Sequence, residues 1–222
     1  MFTSKNKLET SYATIQSNQN RMRIAILADT HVPDRVSTLH PDLLPSLIEA
    51  KIDYIFHCGD LTHQCVLAEL NTVAPVAAVM GNRDIFFSNL QLPFKMQIEV
   101  LGQSIGLFHG FRSMKDYFLD KFDYLIHGYH FDRYHAIGRD LFPAVDILCF
   151  GHTHFAEIRR FKNQLVINPG TSGPNSMNGG PSWVLLEINE RGCLHASFQP
   201  LLGYSCKKNC WQPENSLHQE RL

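Results

Sequence analysis

Three short apolar segments near the start of the chain alternate with two segments of helical periodicity. The apolar segments, residues 23–28, 54–58 and 76–80, have the length and composition of strands buried on both faces. Between them, residues 43–48 and 66–70 repeat apolar residues at helical spacing. The order strand, helix, strand, helix, strand predicts a parallel sheet with right-handed crossovers. The sequence therefore favours the α/β class.

The pattern changes in the second part of the chain. Residues 96–100 and 104–108 flank Leu101-Gly102-Gln103, which predicts a hairpin with a three-residue loop. Apolar residues at three- and four-residue steps predict one amphipathic helix over 113–129, and residues 146–150 form a further strand-like run. Four later segments alternate as antiparallel strands do: 158–161, 165–168, 183–188 and 194–198. We therefore expect a parallel half followed by an antiparallel half.

The 222 residues suit one packed domain, which we expect at 21–204. Residues 1–20 are rich in Ser, Thr, Asn, Gln and Lys and are expected to form a disordered leader, and residues 205–222 a loose polar tail. The leader lacks the apolar stretch of a secretory signal. The six cysteines have no framework spacing and are expected to be reduced. Cytoplasmic localisation is the resulting expectation.

The charge balance excludes some classes of partner. Twenty basic residues stand against twenty-one acidic ones, for a formal net charge of −1. Binding to duplex nucleic acid or to an anionic membrane surface depends on clustered Lys and Arg, so neither partner is expected. No apolar run approaches the ~20 residues of a membrane-spanning helix.

Polar residues with metal-binding chemistry follow the predicted strands. Open α/β sheets bind ligands at the carboxyl ends of their strands, so these side chains are expected to meet in one crevice as a metal site. Each Asp-x-His or His-x-His pair would lie in an extended loop, where alternate side chains point to the same side. Neighbouring glycines would let the backbone turn sharply near a metal. The residues are Asp29, His31, Asp60, Asn82, Asp84, His109, His152 and His154.

Taken in order, the motifs resemble those of the calcineurin-like metallophosphoesterase superfamily. They are Asp29-Thr-His31, Gly59-Asp60, Gly81-Asn-Arg-Asp84, His109-Gly110, Gly151-His-Thr-His154 and Asn168-Pro-Gly170. The last motif resembles a loop of the small bacterial and archaeal phosphodiesterases, the members that this chain resembles most. The resemblance covers residues 22–198 and implies an α/β fold of two packed mixed β-sheets flanked by helices, a four-layer αββα sandwich. The domain at 21–204 would then be a metallophosphoesterase domain.

The resemblance also implies a ligand set for two divalent transition-metal ions. It assigns one ion to Asp29, His31 and His154, and the other to Asn82, His109 and His152, with Asp60 bridging them. Mixed imidazole and carboxylate ligands suit manganese, the favoured metal, or iron, nickel or zinc, better than Ca²⁺ or Mg²⁺. The implied substrate is a small phosphate ester, either a phosphodiester or a nucleotide. The implied reaction is its hydrolysis by a metal-bridging hydroxide.

Two other functions stay open. A phosphomonoesterase would use the same two-metal cleft. A non-catalytic scaffold would keep the fold, as one eukaryotic relative does in a membrane-coat complex after losing several ligands. Competent residue types fill every ligand position here, which favours an enzyme.

Arg83 and Asp84 are the candidate catalytic residues. Arg83 stands where many members of the family have a histidine that contacts substrate and can protonate the leaving group. Arginine keeps its proton, so Arg83 is expected to bind a phosphate oxygen and not to act as a general acid. Esters with poor leaving groups are therefore expected to be hydrolysed slowly. Asp84 is expected to orient a metal ligand.

The segment 111–142 is longer than usual for the family and contains a competing His127-Gly128 motif. His109 is favoured as the ligand because it ends a strand, whereas His127 lies in a helical pattern. Most aromatic residues of this segment are expected to be packing residues, although some could cover the substrate cleft or form an interface in a homo-oligomer.

Overall fold

The computed structural model describes residues 10–16, 19–87, 90–110 and 113–214. Its strands are β1 (Thr10–Ile15), β2 (Arg21–Leu27), β3 (Tyr54–His57), β4 (Val76–Ala78), β5 (Lys95–Val100), β6 (Gln103–Phe108), β7 (Ile147–Cys149), β8 (Ala156–Phe161), β9 (Gln164–Pro169), β10 (Ser182–Asn189), β11 (Leu194–Pro200), β12 (Tyr204–Lys207) and β13 (Cys210–Pro213). Its helices are α1 (Leu43–Glu49), α2 (Gln64–Asn71), α3 (Asn82–Phe87), α4 (Met114–His127) and α5 (Phe131–Leu141). None of the helices in these described ranges has the length and apolar composition to cross a bilayer.

Two mixed sheets form the framework. The five-stranded sheet has the order β11-β10-β2-β3-β4, in which β2, β3 and β4 are parallel and β10 is antiparallel to β2. The six-stranded sheet has the order β1-β5-β6-β7-β9-β8. The predicted parallel start is confirmed. The expectation of an antiparallel second half is wrong for β6, β7 and β9, which pair in parallel. α4 and α5 form the crossover from β6 to β7, and β8 lies in the connection from β7 to β9.

The alternation of side chains along each strand builds a core on both sides of the five-stranded sheet. Ile24 and Ile26 of β2 face the six-stranded sheet, whereas Ala25 and Leu27 pack with the apolar residues of α1 and α2. On the far side of the six-stranded sheet, α5 packs Phe131 and its neighbours against the strands. The layers are therefore helix, sheet, sheet, helix, and the predicted αββα sandwich is confirmed.

Between β2 and β11 most local elements agree with the sequence pattern, with three differences. The loop between β5 and β6 has two residues, not three, because Leu101 (φ 46°) and Gly102 (φ 77°) form the tight left-handed turn that suits twisted strands. α3 was not predicted because it has only six residues. α5 was not predicted because its buried face includes His135 and Gly138, which weaken the apolar periodicity.

The prediction of a disordered leader at 1–20 is wrong for residues 10–15. These residues form β1, an edge strand that pairs in parallel with β5. Tyr12, Ala13 and Thr14 are exposed, so a polar composition is compatible with a hydrogen-bonded backbone, and Ile15 packs against the core between the sheets. Residues 1–9 and 17–18 lie outside the described part of the chain.

The prediction of a loose tail at 205–222 is wrong for its first half. β12 and β13 form a hairpin that packs on the loop after β2. The Ser37 N–H donates to the Asn209 carbonyl at 2.8 Å, and the Trp211 indole donates to the Thr38 carbonyl at 3.0 Å. Composition did not reveal this hairpin because most of its side chains are polar or exposed. Residues 215–222 lie outside the described ranges.

Candidate metal centre

The eight polar residues predicted to form a site lie directly after the carboxyl ends of strands. They follow β2 (Asp29 and His31), β3 (Asp60), β4 (Asn82 and Asp84, in α3), β6 (His109) and β7 (His152 and His154). All are buried except the half-buried His152. Strands from both sheets therefore deliver side chains to one edge of the sandwich.

Five of these residues have a left-handed backbone, a conformation that is uncommon outside glycine. φ is 56° at Asp29, 53° at His31, 58° at Asp60, 73° at His152 and 58° at His154. The prediction of extended loops is therefore wrong, since both members of each Asp-x-His or His-x-His pair are left-handed. Such conformations cost ~1–3 kcal/mol each and cluster at functional sites, where the surrounding structure enforces them.

Asp29, His31 and His154 form one group, with donor atoms within 4.8 Å of one another. The Nε2 atoms of His31 and His154 are 3.3 Å apart. Asp29 Oδ1 lies 3.7 Å from the first nitrogen and 3.4 Å from the second. Two facing imidazole nitrogens need either a proton or a cation between them. This group matches the set that the resemblance assigns to one ion.

Asn82, His109 and His152 form a second group beside the first. Asn82 Oδ1 is 3.1 Å from His109 Nε2 and 3.0 Å from His152 Nδ1. Asp60 lies between the two groups, because its Oδ2 is 3.4 Å from His109 Nε2 and 3.8 Å from His31 Nε2. The structure thus brings together all seven side chains that the resemblance assigns to metal ions.

One buried carboxylate oxygen of the site lacks the partner that a metal ion would provide. Asp29 Oδ1 is buried and has no hydrogen-bond partner among the described residues, although burying an unpaired charged oxygen is costly. It faces Nε2 of His154, His31 and His109 at 3.4, 3.7 and 3.9 Å. A divalent cation would satisfy this oxygen and the nitrogen lone pairs together. The nitrogen and oxygen donors suit a transition metal.

Burial keeps two of the imidazoles in the neutral form that binds metal. It lowers the pKa of His31 to about 4 and the pKa of His152 to about 3. Burial alone would raise the pKa of Asp29, but the neighbouring imidazoles, His154 foremost, hold that pKa well below its usual value. Neutral imidazoles and an ionised carboxylate are the protonation states that a cation requires.

His109 and Asp60 form a charge pair in the protein without metal. Burial would lower the pKa of His109, but the carboxylates of Asp60 and Asp29 outweigh it and raise that pKa to about 9. The same contact with His109 lowers the pKa of Asp60 against the opposing effect of burial. A bound cation would replace the proton of His109 as the positive partner.

Asp84 anchors the backbone around Asp60. Its carboxylate accepts hydrogen bonds from the N–H groups of Asp60 at 2.9 Å, Thr62 at 2.7 Å and Gly81 at 2.8 Å. Burial, together with the charge of Asp60, raises the pKa of Asp84. A Cβ at Gly81 would lie 2.1 Å from Asp60 Oδ1, so only glycine fits there. The placement of Asp84 suits the orienting role predicted for it.

Arg83 lines the cavity above the two groups and is held by Asp34. Its Nε donates to Asp34 Oδ2 at 2.8 Å, and its Nη2 donates to Asp34 Oδ1 at 2.6 Å. Asp34 Oδ2 also lies 3.6 Å from Nδ1 of His31. Sequence reasoning missed Asp34, since its partner is 49 positions away and nothing in the local pattern marks the pairing.

Two other supporting residues were not predicted. The Thr171 hydroxyl donates to the Asp29 carbonyl at 2.7 Å. The Asn168-Pro-Gly170 motif directly before Thr171 is the signal that could have marked this loop. His57 Nδ1 accepts a hydrogen bond from the Gly59 N–H at 3.2 Å, and burial lowers the pKa of His57 to about 3. His57 lies in an apolar strand and carries no separate sequence signal.

His127 takes no part in either group. It is the exposed last residue of α4, and its carbonyl lies 2.9 Å from Nε2 of His130. The structure brings His109, rather than His127, to the cluster.

A family model and several known proteins are similar to this chain over most of its length. A family model described as the calcineurin-like phosphoesterase superfamily domain matches residues 22–191. A probable metallophosphoesterase of Methanothermobacter thermautotrophicus is 33% identical over 168 residues, which span 76% of this chain and 87% of the relative. The crystal structure of a Vps29 double mutant from Entamoeba histolytica has a TM-score of 0.63 at 26% identity and covers 87% of this chain and 97% of its own. Wild-type Vps29 from the same organism, crystallised with zinc, has a TM-score of 0.60 at 26% identity, over 82% of this chain and 100% of its own. The chain therefore belongs to the calcineurin-like phosphoesterase superfamily.

Proposed function

We propose that the protein is a dinuclear-metal phosphoesterase that hydrolyses a small phosphodiester or nucleotide. The observation that carries this proposal is the convergence of seven donor side chains into two adjacent groups. The family match and the probable metallophosphoesterase relative support a phosphoesterase.

In this proposal Asp60 is shared between the two ions. Two divalent cations held close together repel, so a carboxylate between them is needed, and the distances from Asp60 to both groups support that role. Asp29, His31 and His154 hold one ion, and Asn82, His109 and His152 hold the other. Manganese is the proposed metal, with iron, nickel or zinc as alternatives. The bound ions would lower the pKa of a water molecule and offset charge on the phosphoryl oxygens.

Arg83 and Asp84 have different roles in the proposal. Arg83, positioned by Asp34, binds a phosphoryl oxygen at the wall of the cavity. It retains its proton at any accessible pH, so a leaving group receives no proton from it and activated aryl esters are favoured. Asp84 acts through the backbone, because its hydrogen bonds hold the N–H groups around Asp60.

A small substrate is proposed because the cavity has a volume of about 320 Å³, at the low end of small-molecule sites. A formal net charge of −1 gives no general attraction for long polyanions. A phosphomonoesterase remains the alternative within the same chemistry. We also propose a cytoplasmic protein, since all six cysteines are free. We further propose a homo-oligomer that buries the exposed Leu119 and Ile126 of α4.

The test combines metal content with a substrate panel. The manganese-loaded protein is assayed against monoesters, diesters and cyclic phosphates, beside Asp60→Ala and the control Asp132→Ala, whose side chain is 75% exposed. We expect two ions per chain, preferred hydrolysis of diesters, and an activity loss of about 10²-fold or more in Asp60→Ala alone. Faster hydrolysis of monoesters than of diesters would replace the proposal with the phosphomonoesterase.

A non-catalytic scaffold is the second candidate, favoured by the structural likeness to Vps29. The same experiment separates it from an enzyme. Protein that takes up no transition metal and hydrolyses no member of the panel supports the scaffold. Stoichiometric metal together with activity that depends on Asp60 contradicts it.

A further inference from the structure

The cavity above the metal centre is lined by side chains of two chemical kinds. Three of them are aromatic: Tyr117 and Tyr124 from α4, and Tyr134 from α5. Two are basic, Arg35 and Arg83. Both helices belong to the long segment between β6 and β7. This segment therefore supplies the site with aromatic surface, while the loop after β2 and the start of α3 supply positive charge.

Two of the tyrosines are fixed against the metal centre. The ring of Tyr117 is 5.5 Å from that of His152, edge-on, and the ring of Tyr134 is 6.4 Å from it. Tyr134 also stacks on Phe150 at 5.5 Å with an angle of 12° between the rings. Both tyrosines are almost fully buried. This part of the wall is thus pre-organised, so little side-chain entropy is lost when a ligand packs on it.

Tyr124 extends the aromatic lining of the cavity toward solvent. It lines the cavity and is 41% exposed, so part of its surface is available to a ligand. Phe122 lies on the same helix and is 65% exposed, but it does not line the cavity. Substitutions of these two residues therefore distinguish an effect of the cavity lining on ligand binding from an effect of the exposed apolar surface of α4.

Arg35, Arg83 and Asp34 together carry one net positive charge. Asp34 accepts two hydrogen bonds from Arg83 and lies 4.0 Å from Nε of Arg35, so one carboxylate faces two guanidinium groups. This balance suits one anionic group beside the metal centre better than a chain of phosphates.

We infer that the substrate of the proposed phosphoesterase carries an aromatic ring, as a phosphodiester of a nucleoside does, and that Tyr124 forms the outer part of the ring's binding surface. The inference rests on the proposed function for the position of the phosphate. Tyrosine rings stack on any flat aromatic group, and such stacking strengthens binding by about 10- to 100-fold per base. A cavity of about 320 Å³ accommodates one mononucleotide rather than a polymer.

The experiment compares two ligands that share a sugar phosphate and differ in the base. Binding of adenosine 5′-monophosphate and of ribose 5-phosphate to the manganese-loaded protein is measured by calorimetry. We expect the nucleotide to bind at least about tenfold more tightly. Tyr124→Ala weakens nucleotide binding about tenfold and ribose 5-phosphate binding less than about twofold, Tyr124→Phe retains the preference, and Phe122→Ala behaves as wild type.

The inference is overturned if wild type binds both ligands equally, if it binds neither, or if Tyr124→Ala weakens both to the same extent. It is also overturned if Phe122→Ala has the same effect as Tyr124→Ala. Thermal unfolding of each variant checks the fold, and Tyr124→Leu, which keeps apolar packing without an aromatic face, replaces Tyr124→Ala if that variant is unstable. Base preference without hydrolysis of any ester would refute the proposed function alone, whereas hydrolysis without base preference would refute this inference alone.

Discussion

Asp34 holds the guanidinium of Arg83 through two hydrogen bonds, 2.8 Å from Nε to Oδ2 and 2.6 Å from Nη2 to Oδ1. The pair lies at the wall of the cavity, and the Arg83 side chain is about one-third exposed. A bidentate contact of this kind sets the plane and direction of the guanidinium as well as its charge. Arg83 is therefore positioned before any substrate arrives.

Replacement of Arg83 by histidine should change the choice of leaving group. A histidine can donate a proton, which arginine cannot do, so Arg83→His should raise kcat/KM for an alkyl diester such as glycerophosphocholine relative to bis(p-nitrophenyl) phosphate, by about tenfold. Steady-state kinetics on both esters provide the measurement. Arg83→Gln serves as the control, since it removes the charge without adding an acid. An unchanged ratio in Arg83→His contradicts the role assigned to Arg83.

Loss of the Asp34 charge should affect substrate binding more than turnover. In Asp34→Asn the amide accepts at one atom only and places a donor against the guanidinium, so Arg83 loses its fixed direction. We expect KM for an aryl diester to rise about fivefold with kcat changed less than about twofold, and Asp34→Glu to recover part of the loss. The partly exposed pair should contribute no more than about 1 kcal/mol to the free energy of unfolding. A fall in kcat alone would argue against a positioning role.

Asp84 should matter for metal affinity as well as for stability. Asp84→Asn puts an amide where the carboxylate accepts three backbone N–H groups. We expect metal affinity to fall about 10- to 100-fold and the free energy of unfolding to fall by about 2–4 kcal/mol. Competition with a chromogenic chelator and denaturant unfolding measure the two effects.

The matched control for Asp84 is Asp146→Asn. Asp146 accepts from the N–H and hydroxyl of Ser104 at 2.8 and 2.7 Å, in a turn that contributes no predicted metal ligand. We expect this control to lower stability and leave metal affinity unchanged. Equal losses of metal affinity in both variants would show that Asp84 acts only through global stability.

Acid should destabilise the metal-free protein partly through His57. Burial lowers the pKa of His57 to about 3, against about 6.5 in an unfolded chain. Between these values the unfolded state binds a proton that the folded state does not bind, so stability is lost as the pH falls from 6.5 toward 3. One such group contributes at most about 1.4 kcal/mol per pH unit to the slope.

His57→Asn should reduce that slope while keeping an acceptor for the Gly59 N–H. Denaturant unfolding of chelator-treated protein at several pH values measures the change. His195→Asn is the control, because His195 is an exposed residue of β11. The same slope in wild type and His57→Asn would mean that His57 is not neutral in the folded protein.

The sequence pattern was sufficient to predict the α/β class and the candidate ligands, and the αββα layers were implied by the family resemblance of the motifs. Hydrophobic periodicity reports which face of a strand or helix is buried, and parallel strands bring their carboxyl ends to one edge. Local pattern was therefore enough to indicate that residues as distant as Asp29 and His154 would share a crevice. Periodicity does not report pairing partners or exposed edges, and for that reason it predicts neither β1 nor the β12–β13 hairpin.

Only the tertiary structure decided the left-handed backbone at Asp29 and His154, the Asp34–Arg83 pair and the approach of Tyr117 to His152. Each depends on contacts between segments far apart in the chain, and such contacts leave no local periodic signal. Backbone strain in particular persists only where the surrounding packing enforces it. Residue types at strand ends thus predicted the chemistry of the site, whereas the direction of its side chains depends on the packing of the two sheets and their loops.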